Sequence, residues 1–141
     1  MGHIRIKNPL LRLQLFNLFI RDLPDFLFSE KHVNDNDAVY LYDSIIRCLL
    51  YADDLVLFSR SAAGLQHQLN VLHEYCKIWS LTVNVSKTEC MYVHSKNKKN
   101  KNKIEIKPPP LFFDEIQISY VENFFKYVGV LFSNDGTFQN N

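Results

Sequence analysis

The chain has 141 residues, 47% of them hydrophobic, which suits one globular domain or part of a larger one and excludes a disordered tail. Lys plus Arg number 16 against 15 acids, a formal charge of +1, so no partner is attracted by a strong overall field. Cys48, Cys76 and Cys90 are an odd count without CxxC spacing, and the histidines (His3, His32, His67, His73, His94) form no HExxH pair. This reads as an intracellular chain with reduced thiols and no zinc site.

The apolar run Leu10 to Ile20 is interrupted by Arg12, Gln14 and Asn17, too short and polar to span a bilayer or serve as a signal peptide. Met1-Gly2 fails the myristoylation pattern because position 6 is Ile. Over 11–23, Leu11, Leu15, Leu18 and Asp22 fall on one line, and Phe16, Phe19, Ile20 and Leu23 widen the apolar face. The spacing predicts a buried helix that Pro24 stops, followed by an exposed loop over 29–37. Asp35 and Asp37 miss the calcium-loop pattern because Val39 follows them.

Ser44 to Tyr51 and Leu55 to Ser59 are apolar and partly β-branched or aromatic, with Ala52-Asp53-Asp54 between them. Strand, tight turn and strand are expected, and the near-continuous hydrophobicity predicts a central position covered on both faces. Leu65, Leu69, Leu72, Cys76 and Trp79 recur at spacings of four and three, a helical stripe that Ser61 would cap. Leu81, Val83 and Val85 alternate with Thr82, Asn84 and Ser86, predicting a half-buried strand that "CMYV" (90–93) continues or pairs with.

The tract "KNKKNKNK" (96–103) and the prolines 108–110 cannot pack and are expected to form a solvated insert and an extended spacer. No aromatic interrupts the lysines to stack bases, which favours solvation over nucleic-acid contact. Sheet-like residues resume at 111–120 and in "FFKYVGVLF" (124–132), and no internal repeat is visible. The division is therefore 1–94, a flexible insert at 95–110, and 111–141. The expected fold class is α+β, an antiparallel sheet backed by helices.

Two adjacent carboxylates within "LLYADDLVLF" (49–58) are expensive to bury, by several kcal/mol in order of magnitude for each unpaired charge. A shared proton is one compensation and a divalent cation, which neutralises both, is the stronger. Hard oxygens with positions left for water and phosphate favour Mg²⁺ and the two-ion chemistry of phosphoryl transfer. The alternative is a surface turn in which Asp53 and Asp54 face water.

Several segments in order resemble the reverse transcriptase of non-LTR (LINE-type) retrotransposons. "LFNLFIRDLP" (15–24) is similar to the helix after the template-contacting turn and "LLYADDLVLFS" (49–59) to the catalytic hairpin. "GLQHQLNVLHEYCKIWSLTVNVSKTE" (64–89) is similar to the following helix and strand, and "FFKYVGVLFS" (124–133) to the primer-grip hairpin. The resemblance implies part of a polymerase palm in an RNA-directed DNA polymerase that uses Mg²⁺ or Mn²⁺, an RNA template, a DNA primer and dNTPs. It makes Asp53 a principal metal ligand and Asp54 a weaker or orienting one. Tyr51 and Ala52 would lie near the primer end, Lys87 near the outgoing pyrophosphate, and Tyr127, Val128 and Gly129 against the primer backbone.

Outside the family match, Lys87 reads equally as an exposed lysine at a strand end, Tyr127 as a strand aromatic and Gly129 as relief for a bend. The family places a further catalytic aspartate upstream of the first helix, and "MGHIRIKNPL" contains no acid; Arg12 and Leu13 stand where a Ser-Pro pair is usual. The chain alone is accordingly expected to be inactive. The rival expectation is a non-catalytic relic that associates through an open sheet edge.

Overall fold

A computed structural model describes residues 16–32, 35–93, 108–134 and 138–140. The chain forms two compact units, Met1–Leu81 and Thr82–Asn141. Helices together with small, mostly antiparallel sheets make it α+β. A single sheet backed by helices is not formed among the described residues: five small sheets take its place, and one of them is a parallel pair.

In the first unit, helical residues 16–19 lead through a turn into α1 (Leu23–Leu27), with Pro24 in the first turn of that helix. Pro24 thus starts a helix rather than stopping one. Its fixed φ suits the first turn, where its missing N–H would have no intrahelical partner. Residues 11–15 of the expected helix lie outside the described residues.

α2 (Ala62–Trp79) realises the leucine stripe and ends where Ser80 turns left-handed at φ 53°. The Ser61 hydroxyl accepts from the Gly64 N–H at 3.0 Å, as expected of the cap. Helix α1 packs on α2 and buries Ile20, Leu23 and Leu27 with Leu69, Val71, Leu72 and Tyr75. A buried side chain such as Leu27 or Tyr75 contributes roughly 1.5–3 kcal/mol. Phe26 adds a tilted ring contact to Tyr75, centroids 5.3 Å apart, and Phe19 an edge contact to Trp79 at 5.5 Å. The Tyr75 hydroxyl donates to Asp22 Oδ1 at 2.6 Å, which satisfies the one polar atom of a fully buried ring. His67 Nε2–H donates to the His32 carbonyl at 3.0 Å and pins the 29–32 turn to α2.

Between the helices lie two antiparallel hairpins, β1 (Val39–Leu41) with β2 (Ser44–Ile46) and β3 (Cys48–Tyr51) with β4 (Asp54–Leu57). The single strand expected over 44–51 is broken at Arg47. The central position expected for it is not observed either, since among the described residues β3 and β4 pair only with each other.

The second unit opens with a 3₁₀ turn, Val85–Lys87, where a half-buried strand over 81–86 was expected. Asn84 explains the difference. Its carbonyl accepts from the Lys87 N–H at 3.1 Å and the Thr88 hydroxyl at 2.9 Å, and its side chain accepts from the Ser86 hydroxyl at 2.7 Å. These local bonds outcompete a ladder.

Then β5 (Glu89–Met91) pairs in parallel with β8 (Ser119–Val121), which needs the long crossover that the intervening chain supplies. The "CMYV" segment therefore pairs with a distant strand and not with 81–86. β6 (Phe112–Phe113) and β7 (Ile116–Gln117) form a short hairpin whose core is Leu111, Phe113 and Ile118. β9 (Phe124–Tyr127), β10 (Val130–Ser133) and β11 (Phe138–Asn140) form a three-stranded meander. The lysine-asparagine tract lies outside the described residues. No helix among the described residues is long and apolar enough to cross a membrane.

Candidate functional site

Tyr51 pairs with Asp54 across β3–β4, so Ala52 and Asp53 form a two-residue turn at the tip. Ala52 has φ 56°. A positive φ at the first turn residue matches the right-handed twist of a hairpin, at a cost that glycine would avoid. The same device recurs at Tyr42 (φ 54°), Asp114 (φ 56°) and Val128 (φ 48°), each the first residue of a hairpin turn.

Period-two alternation places Leu49, Tyr51, Asp54 and Val56 on one face of the hairpin and Cys48, Leu50, Leu55 and Leu57 on the other. The second face is half-buried; Leu49, Tyr51 and Asp54 on the first are exposed, and so is Asp53 at the tip. The dry surroundings expected for the aspartates are therefore not observed. An apolar run places methyl groups beside the carboxylates in sequence, but the turn carries the carboxylates past the end of the ladder into solvent. Burial supplies no force for holding a cation here.

Geometry supplies the alternative. Mg²⁺ is commonly held by one or two carboxylates, its other positions going to water and substrate phosphate. Two exposed carboxylates at a hairpin tip fit that use. No cluster of three or more His, Cys, Asp or Glu converges among the described residues, so the pair does not fit a closed protein cage.

The other expected residues lie in the second unit. Lys87 is exposed at the end of the 3₁₀ turn, not at a strand end. Tyr127, Val128 and Gly129 stand together at the β9–β10 tip, where Val128 (φ 48°) and Gly129 (φ 82°) are both left-handed. That is the sign pattern of a type I′ turn, and Val128 is a β-branched residue in a conformation it rarely adopts. The hairpin expected over 124–133 is thus formed, with Gly129 at a position that requires it.

Sequence reasoning missed the groups at the base of β3–β4. The Phe58 N–H donates to the Arg47 carbonyl at 2.9 Å, extending the ladder by one pair. The Ser61 hydroxyl donates to Asp37 Oδ1, which sets a carboxylate against the positive end of α2. Gly64 makes room: a Cβ there would meet Asp37 Oδ2 and Ser59 Oγ at 2.6 Å. A glycine in a helical first turn was the one available signal.

Burial raises the thiol pKa of Cys48, Cys76 and Cys90. None is activated as a thiolate nucleophile. Tyr120 beside Cys90 is pushed up to about 12, chiefly by burial.

No curated protein and no solved structure matches the chain. The family described as Reverse transcriptase (RNA-dependent DNA polymerase) matches it over residues 13–132, a span that contains both hairpin tips and α2. With that match covering far more than half of its length, the chain belongs to the reverse transcriptase family.

Proposed function

We propose that the chain is the palm portion of a non-LTR (LINE-type) reverse transcriptase, with Asp53 as principal ligand of a catalytic Mg²⁺ or Mn²⁺ and Asp54 as a weaker or orienting one. The observation that carries the reading is the two-residue hairpin turn that sets Asp53 and Asp54 side by side at its tip, inside the span that matches the family. In the complete enzyme the primer 3′-hydroxyl loses its proton and its oxygen bonds to the α-phosphorus of a dNTP. The bond to the β-phosphate bridging oxygen breaks, and pyrophosphate leaves.

When bound, divalent ions supply charge stabilisation to the attacking and leaving oxygens. The chain's own residues position. β3 and β4 hold the two carboxylates in register, Tyr51 and Ala52 border the primer end, Lys87 approaches the pyrophosphate, and Tyr127, Val128 and Gly129 support the primer backbone. RNA template and DNA primer are the proposed partners.

Exposed carboxylates hold an ion weakly until substrate phosphates share it. Mg²⁺ should therefore tighten dNTP binding to the chain by about tenfold or more, a change of about 1.4 kcal/mol. Asp53→Asn should remove that effect, and dNTP binding indifferent to Mg²⁺ would refute the assignment. Primer extension on an RNA template by the chain alone is expected to be absent; synthesis that Asp53→Asn abolishes would contradict this.

A second reading, association through open hairpin edges, draws support from exposed Tyr40, Leu41 and Tyr42, the last 94% exposed. Sedimentation that stays monomeric at high concentration would exclude it.

A further inference from the structure

The β1–β2 hairpin turns its apolar side chains to solvent: Tyr40, Leu41, Tyr42 and Ile45 are all exposed. These four leave on the order of 500 Å² of side-chain surface uncovered, comparable to the largest apolar patch of an ordinary monomer, about 300–600 Å². Among the described residues β1 and β2 pair only with each other. A two-stranded sheet this short is marginal in water, and three or more strands give a sheet independent stability.

The register shows which backbone groups face outward. Tyr42 and Asp43 form a two-residue turn, so the flanking pair Leu41 and Ser44 is hydrogen-bonded, and bonded pairs alternate along the ladder. Tyr40 and Ile45 are then the pair without mutual bonds, and the Tyr40 N–H and C=O point out of the open edge of β1. Three of the four exposed apolar side chains lie on β1 and its turn, whereas β2 carries Ile45 beside Ser44.

We propose that β1 pairs antiparallel with β1 of a second copy of this chain, Tyr40 opposite Tyr40 across a two-fold axis. This rests on the reading of association through open hairpin edges and assigns its partner and register. An antiparallel edge is its own complement: each Tyr40 N–H donates to the other Tyr40 carbonyl, and Val39 comes opposite Leu41 of the second copy. The product is a four-stranded sheet with the two Tyr40 rings side by side on one face. Charge favours this partner over a nucleic acid. Residues 39–46 hold one charged side chain, Asp43, which repels phosphate, and antiparallel pairing puts the two Asp43 at opposite ends. The patch is smaller than the roughly 800 Å² per partner of a standard interface, so the dimer is a weak one.

The test combines sedimentation equilibrium with disulfide trapping of the full chain. The parent should show a monomer–dimer equilibrium, and Tyr40→Lys, which sets like charges opposite each other, should weaken it at least tenfold with unchanged circular dichroism. Under oxidised glutathione, Tyr40→Cys should give a covalent dimer well above the parent's background, because Cα atoms of a bonded antiparallel pair stand about 5.5 Å apart, within disulfide reach. Ile45→Cys should not, since three strand spacings, about 14 Å, separate its two copies. A parent that stays monomeric at about 1 mM overturns both the association reading and this inference. A dimer that Tyr40→Lys leaves intact, or that Ile45→Cys traps in place of Tyr40→Cys, overturns the inference and leaves association standing. A single-stranded RNA hexamer that shifts the amide signals of residues 39–45 and displaces the dimer assigns the edge to nucleic acid and likewise overturns it.

Discussion

Gly64→Ala separates helix propensity from the packing at the start of α2, because the two predict opposite signs. Alanine in a helix interior is favoured over glycine by about 0.8–1.0 kcal/mol, and by less in a first turn. Here the new Cβ would stand 2.6 Å from Asp37 Oδ2 and Ser59 Oγ, well inside the 3.4 Å at which ordinary contact begins. The carboxylate must retreat and release the Ser61 hydroxyl.

A hydrogen bond to a charged group contributes about 1.5–3 kcal/mol, the lower end applying at this exposed site, and the anion at the helix N-terminus adds about 0.3–1 kcal/mol. After the propensity gain, the variant should be less stable by about 1–2 kcal/mol. Urea denaturation followed by circular dichroism reads this as a lower midpoint with an unchanged slope. In an Asp37→Ala background the same substitution should cost nothing or stabilise, since the obstructing carboxylate is gone. A more stable Gly64→Ala chain, or an equal cost in both backgrounds, would refute the reasoning.

Burial, helped by the hydrogen bond to Asp22, raises the Tyr75 pKa above its ordinary 10.0. The folded state then holds a proton that the unfolded chain releases, so the contribution is complete below about pH 10 and is lost as pH rises beyond it. Melting temperature measured from pH 8 upward should fall above pH 10, and Tyr75→Phe should cost about 1 kcal/mol at neutral pH and flatten that fall. A parent chain whose alkaline profile matches the variant's would contradict this. Val128→Asn should stabilise the chain by about 1 kcal/mol, because asparagine tolerates the left-handed turn position at φ 48° that valine does not. Thermal denaturation checks it, and an unchanged or lower midpoint would show that the turn carries no such strain.

Elements with redundant signals were legible in the sequence. α2 combined a leucine stripe with a serine cap, and the β9–β10 turn carried a glycine where both central residues are left-handed. Elements set by a single local contact were not. Alternation from Leu81 to Ser86 mimics a strand until Asn84 captures the neighbouring hydroxyls and amides. Tyr42-Asp43 closes a hairpin without glycine or asparagine, so nothing announced β1 or its pairing with the start of the strand expected over 44–51. Pro24 has the same residue identity whether it ends one helix or begins the next. For the site, the Asp53-Asp54 turn was legible and its solvation was not, because hydropathy reports which residues are greasy and not what covers them.

The cation assignment is tested most directly by titrating Mn²⁺ into the isotopically labelled chain and mapping paramagnetic broadening of amide signals. Broadening should centre on residues 51–55 at low Mn²⁺, compete away with Mg²⁺ and disappear in Asp53→Asn. Broadening spread over the acidic surface, or unchanged by that substitution, would contradict the assignment of the hairpin tip as the metal-holding element.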